Sequence, residues 1–373
     1  MRNVKILVAP LDWGLGHTTR CIPIINELIR SDCEVWIAAN GAGLALLRKE
    51  FPFLNFFDLK GYGVFYHRIK YMLKWKIFSQ IPRIKAAIRY ENRWLKQITE
   101  MHHFDAVISD NRFGLYHPNI FSVFITHQLQ IQSASGKWID RILQKINYRY
   151  INRFNECWVP DFDNAVNLSG ALSHGENLPE NLYYIGPLSR FKKIEVAAKY
   201  DLLVILSGPE PNRTIWEQSL LDQLSAYKGK ALLIRGLPGV CECEAPPGSA
   251  TVEIINHLSS EELNLAIAHS NRVVCRSGYS SVMDLAALNK KAILVPTPGQ
   301  PEQEYLAKYL KQQQLFYTTT QHNFSIMESI AEAESFPVRL NTMQQEEGDY
   351  KNRIKALITI IQQKRSQKLH GAF

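Results

Sequence analysis

The sequence predicts an α/β protein made of two doubly wound, Rossmann-like domains facing each other across a cleft. Three observations predict it. The chain has 373 residues, longer than one hydrophobic core usually grows. Short, continuous apolar runs recur, each followed by a helical pattern, as expected of parallel strands covered on both faces. The series then starts over in the second half of the chain.

The first series reads VKILVAP from Val4, EVWIAAN from Glu34, FDAVISD from Phe104, FSVFITH from Phe121 and ECWVPD from Glu156. The second reads DLLVILSG from Asp201, KALLIRG from Lys230, TVEIINH from Thr251, NRVVCRSG from Asn271 and KAILVPTP from Lys291. Between them GPLSRFKKIEVAAKY, from Gly186, opens on Gly-Pro and carries a basic cluster, which suits a linker. The predicted domains are therefore 1–189 and 190–343. Residues 344–373 are expected to form a last helix through Tyr350, Ile354, Leu357 and Ile361, either packed back across the junction or standing as a simple edge helix.

Composition excludes several classes. With 46% hydrophobic and 21% charged residues the chain is not disordered. No apolar stretch reaches the roughly 20 residues that span a bilayer, and the opening run is halted by Asp12, so it reads as a strand and not as a signal peptide. Of six cysteines (Cys21, Cys33, Cys157, Cys241, Cys243, Cys275) only Cys241 and Cys243 are close, and that spacing is not a zinc motif. Reduced thiols in a cytoplasmic protein are expected. The net charge of +8 favours an anionic partner without choosing one.

In open parallel sheets, ligands bind beyond the carboxyl ends of the strands, where helix N-termini offer amide donors. After the first strand stands Asp12-Trp13-Gly14-Leu15-Gly16-His17. Gly14 and Gly16 allow a tight turn and close approach, and His17, at the start of a helix, has a side chain suited to proton transfer. Asp110 ends another strand of the same domain and could orient that imidazole, or simply form a turn. In the second domain the turn Ser207-Gly208-Pro209-Glu210-Pro211-Asn212-Arg213 offers amides, a hydroxyl and the Arg213 cation to a diphosphate, although two prolines remove donors.

The most specific segment runs from Arg276 through Ser277, Gly278 and Ser280 to Asp284, followed by a loop bearing Gln300, Gln303 and Glu304. Arg276, Ser277 and Gly278 form an anion-ready turn, Asp284 lies on the next helix where a carboxylate can accept ribose hydroxyls, and the loop suits a sugar.

This stretch, Arg276 to Tyr309, resembles the donor-binding motif of glycosyltransferase family 28, nearest in pattern to its members that build the peptidoglycan precursor. Gly14, Gly16 and His17 are similar to that family's first loop. The resemblance implies the GT-B fold, a UDP-sugar donor, no cofactor or essential metal, and inversion at the anomeric carbon. It also implies that Asp284 is the ribose ligand, Ser277 and Gly278 the diphosphate turn, and Gln303 and Glu304 the donor-sugar pair. Asp12-Trp13, the proline-bearing Ser207 turn and Glu304 in place of an amide depart from the pattern. His17 as base, Asp110 as its orienter, and Arg276, Ser277 and Gly278 beside the diphosphate complete the expected inverting site.

From Lys60 to Lys96 basic and aromatic residues interleave, among them Arg68, Lys70, Lys74, Lys76, Arg83, Lys85, Arg89, Arg93, Tyr66, Trp75 and Trp94. Region 60–96 is expected to rest on an anionic membrane surface at the cytoplasmic face, or to be a solvated basic helix face. No nucleic-acid motif accompanies it. The alternative function is that of a GT-B protein that epimerises a UDP-sugar at C2 or binds it without transfer.

Overall fold

The computed structural model of the chain describes residues 3–62, 73–130, 136–237, 251–340 and 349–370. Two units emerge, one of Met1–Ala165, Ala171–Leu188 and Glu346–Phe373, the other of Val166–Gly170 and Ser189–Gln345.

The first unit contains β1 (Lys5–Pro10), α1 (Leu15–Arg30), β2 (Glu34–Ala39), α2 (Gly41–Glu50), β3 (Asn55–Asp58), α3 (Leu73–His102), β4 (Ala106–Asp110), β5 (Phe121–Ile125), α4 (Lys137–Ile151), β6 (Glu156–Val159) and β7 (Leu182–Tyr184). Its seven strands lie in the order β3-β2-β1-β4-β5-β6-β7, every neighbouring pair parallel. β1, β4 and β5 are buried along their whole length, which is why they read as unbroken apolar runs. One face of this sheet, through Leu7, Ala9, Ala38 and Val107, packs on Leu95 and Ile98 of α3.

The second unit contains β8 (Tyr200–Ile205), α5 (Asn212–Leu224), β9 (Ala231–Ile234), β10 (Val252–Ile255), α6 (Ser260–Ala268), β11 (Ser270–Cys275), α7 (Tyr279–Ala287), β12 (Ala292–Leu294), α8 (Pro301–Gln312), β13 (Tyr317–Thr318) and α9 (Ile326–Ser335). The strand order β10-β9-β8-β11-β12-β13 repeats the plan of the first unit, again all parallel. Leu202, Val204 and Leu206 alternate along β8 and its end. They meet Trp216, Leu220 and Leu224, spaced by four on α5, so strand and helix periods interlock in one core.

The last helix, α10 (Asp349–His370), belongs to the first unit. Ile354, Leu357 and Ile361 are buried, the helix packs on α1, and Arg353 and Arg365 pair with Glu156 and Asp105. β3, β7 and β13 are absent from the apolar runs of the sequence because they are short edge strands of two to four residues, and β3 and β7 are partly exposed. Cys21, Cys33, Cys157 and Cys275 are free thiols, while Cys241 and Cys243 lie outside the described residues. No described helix is long and apolar enough to cross a membrane.

Candidate active site

Each sheet reverses its direction of growth at one point, between β1 and β4 in the first unit and between β8 and β11 in the second. Beyond such a point two loops diverge and leave a crevice. In the first unit the register pairs Pro10 with Asp110, so the turn after β1 and the carboxylate ending β4 are neighbours by construction.

That turn brings in α1. Gly14, at φ +79°, occupies a backbone region that favours glycine, and no side chain caps the first turn of α1. A Cβ built on Gly14 would have no neighbour within 4 Å. The helix then places His17, Arg20 and Cys21 on one face, because residues three and four apart are neighbours on a helix.

All three point at Asp110, whose side chain is fully buried. His17 Nδ1 lies 3.0 Å from Asp110 Oδ1, Arg20 Nε donates to Oδ2 at 2.5 Å, and Arg20 Nη2 donates to Oδ1. The Cys21 thiol lies 3.7 Å from Oδ2. Arg20 Nη1 donates to Nδ1 of His127, at 3.0 Å, just past the end of β5. Burial alone would raise the Asp110 carboxyl, but Arg20 and His17 outweigh it and hold the group well below the usual carboxylate range.

His17 is pushed the other way. Burial lowers its imidazole below the ordinary histidine value, Arg20 and His127 add to that, and Asp110 opposes it. Nδ1 of His17 stands between an acceptor and a donor, 3.0 Å from Asp110 Oδ1 and 2.8 Å from Arg20 Nη2, so the tautomer decides which it pairs with. The neutral ring that donates Nδ1–H to Asp110 carries its lone pair on Nε2, and the side chain keeps 16% exposure. The arrangement can therefore accept a proton at Nε2 while Asp110 stabilises the resulting cation.

A second buried ion pair fixes the surrounding loops. Arg112 and Glu91 are fully buried and 2.9 Å apart, and Arg112 Nε donates to the Pro10 carbonyl at the end of β1. Glu91 also accepts from the Tyr62 hydroxyl and the Gly114 amide, which clamps α3 onto the segment after β4.

In the second unit, Ile205 and Cys275 are register partners, so the Ser207-Gly208 turn and Ser277-Gly278 lie beyond adjacent strand ends. Ser207 and Gly208 are exposed, with Gly208 at φ +108°. Gly278 begins α7 without a capping side chain, which leaves the first amides of that helix without intrahelical acceptors. Ser280 lies in that first turn.

Ser277 Oγ donates to the Gln303 carbonyl at 2.9 Å, which ties this turn to α8. Gln303 accepts from the Thr297 amide and donates to Gln300 Oε1, and Glu304 accepts from the Gly299 amide. Gln300, Gln303 and Glu304 thus form one preformed loop. Asp284 accepts from the Ser189 hydroxyl at 2.7 Å, and burial pushes its carboxyl up to about 6 against the pull of Arg190 and Ser189.

Two expected diphosphate ligands are not presented to a ligand. Arg276 is 1% exposed, stacks on Trp216 at 3.8 Å, and donates to Val295, Pro296, Asn212 and Gln321. Its guanidinium braces the turn from behind. Arg213 is buried among Glu210, Glu217 and Thr214, where it anchors the start of α5.

Arg20 and His127 are the residues that sequence reading passed over. The signal for Arg20 was its spacing of three from His17, and for His127 its place at the end of FSVFITH. Within region 60–96, residues 63–72 lie outside the described set and the side chains of 73–81 are likewise not described, which covers Arg68, Lys70, Lys74, Lys76, Tyr66 and Trp75. Of the described part, Tyr62, Ile88, Glu91 and Leu95 are buried, while Arg83, Lys85, Arg89, Arg93 and Lys96 are exposed along α3.

Residues 250–359 match the glycosyltransferase family 28 C-terminal domain. An uncharacterized glycosyltransferase of Methanosarcina acetivorans is 23% identical over 333 residues, covering 83% of this chain and 81% of that protein. The UDP-N-acetylglucosamine–N-acetylmuramyl-(pentapeptide) pyrophosphoryl-undecaprenol N-acetylglucosamine transferase of Histophilus somni is 34% identical over 103 residues, 23% of this chain and 29% of that protein. Among solved structures, the calicheamicin glycosyltransferase CalG4 superposes with a TM-score of 0.61 at 12% identity, covering 100% of this chain and 98% of the other. MurG of Acinetobacter baumannii does so at 0.56 and 13%, covering 97% and 100%. Each of these structures shares the two-domain α/β GT-B fold.

Proposed function

We propose that this protein, a glycosyltransferase whose residues 250–359 match the family 28 C-terminal domain, transfers a hexose or N-acetylhexosamine from a UDP-sugar to a hydroxyl of a cell-envelope or lipid-linked acceptor, with inversion. The observation that carries the reading is the His17–Asp110 pair, 3.0 Å apart at the point where the first sheet reverses. The partial match to an enzyme named for UDP-N-acetylglucosamine supports that donor first.

In this reading the first unit prepares the acceptor. His17 Nε2 takes the proton of the acceptor hydroxyl as its oxygen bonds to the anomeric carbon, and the Asp110 carboxylate stabilises the imidazolium that forms. The bond from that carbon to the diphosphate breaks on the opposite face, and UDP leaves with the electron pair. The second unit holds the donor. Asp284 binds the ribose. Ser207, Gly208, Ser277, Gly278 and Ser280 line the diphosphate side, where helix-end amides offset the charge that grows on the leaving group. Gln300, Gln303 and Glu304 bind the sugar.

The lipid-linked acceptor is supported by α4 as well as by α3. Trp138, Ile142 and Ile146, spaced by four, are 73%, 39% and 48% exposed and flanked by Arg141, Lys145 and Arg149. An apolar stripe edged by cations suits the surface of an anionic membrane, with the protein peripheral on its cytoplasmic side. Co-flotation with phosphatidylglycerol vesicles at low salt, lost in Trp138→Glu, tests this part.

The transfer itself is tested with a panel of nucleotide sugars. UDP and UDP-N-acetylglucosamine should raise the melting temperature, since a ligand that binds only the folded state stabilises it. The product anomer, read by NMR, should be inverted. Donor binding with a His17→Ala variant of undiminished rate would instead favour the epimerase reading.

A further inference from the structure

The facing stripes of two neighbouring helices are ordinarily apolar, because that is how helices bury surface against each other. Between α3 and α4 they are not. Lys85, Ile88, Arg89, Asn92 and Arg93 follow the spacing i, i+3, i+4, i+7, i+8 on α3. Ile146, Arg149, Tyr150 and Arg153 follow i, i+3, i+4, i+7 on α4 and just beyond it. With Tyr116 they line a cavity of about 710 Å³. That size lies within the ~300–1,000 Å³ of ordinary ligand pockets.

The lining holds five cations and no carboxylate. All five are exposed, and among the described residues none is within ion-pair distance of an acidic side chain. Arg153 is held in place, donating to the Tyr116 hydroxyl at 3.2 Å and lying over the Tyr116 and Tyr150 rings at 5.2 and 4.7 Å. Asn92 donates to the Gly114 and Tyr116 carbonyls, which fixes the floor. Cations converging on a shaped pocket repel one another until an anion enters, and the guanidinium fork matches phosphate oxygens in pairs.

The inner wall connects this pocket to the candidate base. Ile88 lines it and packs in one cluster with Leu11, and Tyr150 packs against the same cluster. Leu11 directly follows β1 and opens the turn that carries His17. One layer of side chains thus separates the cationic pocket from that turn.

We infer that the α3–α4 pocket binds the phosphate groups of a phosphorylated acceptor and so positions its hydroxyl toward His17. The inference rests on the reading of the first unit as the acceptor side. Phosphates of an acceptor and bulk lipid headgroups share this chemistry, and the test separates the two.

Inorganic pyrophosphate is titrated calorimetrically into the full-length protein saturated with UDP, so that the donor site is filled. Binding that weakens steeply with salt is expected. The Arg89→Gln/Arg149→Gln double variant should weaken it about tenfold or more while leaving UDP binding and the melting temperature unchanged. Asp284→Asn should leave pyrophosphate binding intact.

No pyrophosphate binding, or equal binding by wild type and double variant, would overturn the inference. So would a double variant that loses co-flotation with phosphatidylglycerol vesicles but keeps pyrophosphate affinity, since that identifies a headgroup surface only. A protein that binds pyrophosphate through Arg89 and Arg149 yet ignores UDP would support the pocket and defeat the donor reading instead.

Discussion

Arg20 and Asp110 are joined through two guanidinium nitrogens and both carboxylate oxygens, Nε to Oδ2 at 2.5 Å and Nη2 to Oδ1, with each side chain almost wholly removed from solvent. The pair makes it feasible to keep a charged carboxylate beneath His17. Removing one partner leaves the other as an uncompensated buried charge, which costs about 3–5 kcal/mol. Arg20→Met is therefore expected to lower the denaturation midpoint sharply. Arg20→Met/Asp110→Asn should recover much of the loss, and a double-mutant cycle in urea measures the coupling.

The same contact sets the pH response. Burial depresses the His17 imidazole and Arg20 depresses it further, while Asp110 raises it. The acid limb of kcat/KM should therefore fall below the ordinary histidine value of about 6.5. Replacing Arg20 with Gln removes one lowering influence and should move that limb to higher pH. A full pH profile of both proteins checks it, and His17→Ala should reduce the plateau by about 10²–10⁴. The stability sign follows from the same shift. Because the folded protein disfavours the protonated ring, this contribution is present above about pH 6.5 and is lost as pH falls through the lower folded value.

Asp284 works in the opposite sense. Its carboxyl is raised from 3.8 to about 6, chiefly by burial, so the folded state prefers the protonated form. That preference stabilises the protein below pH 3.8 and is lost as pH rises through 6, leaving a penalty at neutrality. Asp284→Asn should therefore be more stable than wild type at pH 7.5, by about 1–3 kcal/mol, and no more stable at pH 4. Donor affinity should fall at the same time. Melting curves at the two pH values, with and without UDP, separate the effects.

How far the sequence could be read depends on what each feature rests on. Continuous apolar runs mark strands buried on both faces, so β1, β4, β5, β8 and β11 were legible, as was the restart that implies a second sheet. β3, β7 and β13 were not, because two to four residues at a sheet edge carry no period. The approach of His17 to Asp110 could be anticipated from strand ends. Which arginines face a ligand could not, because Arg276 and Arg213 differ from exposed arginines only in the core behind them, Trp216 for the one and Glu217 for the other. The cationic pocket was half visible in the run from Lys85 to Arg93. Its other wall sits more than fifty residues later, at Arg149 and Arg153, and only the packing of α3 beside α4 joins the two.

Gly278 offers a separation of fold from function. Its φ of −71° and ψ of 139° suit any L-residue, and a Cβ built there has no neighbour within 4 Å. Nothing in the folded chain requires glycine at this position. A side chain would, however, stand over the uncapped amides at the start of α7, where the proposed diphosphate approaches. Gly278→Ala should fold with unchanged or slightly increased stability, by up to about 1 kcal/mol from the loss of unfolded-state freedom. Its affinity for UDP should drop, and Gly278→Val should lower it further. Calorimetry against UDP, beside a urea melt of the same two variants, checks the prediction. Unaltered UDP affinity in both would remove α7 from the donor site.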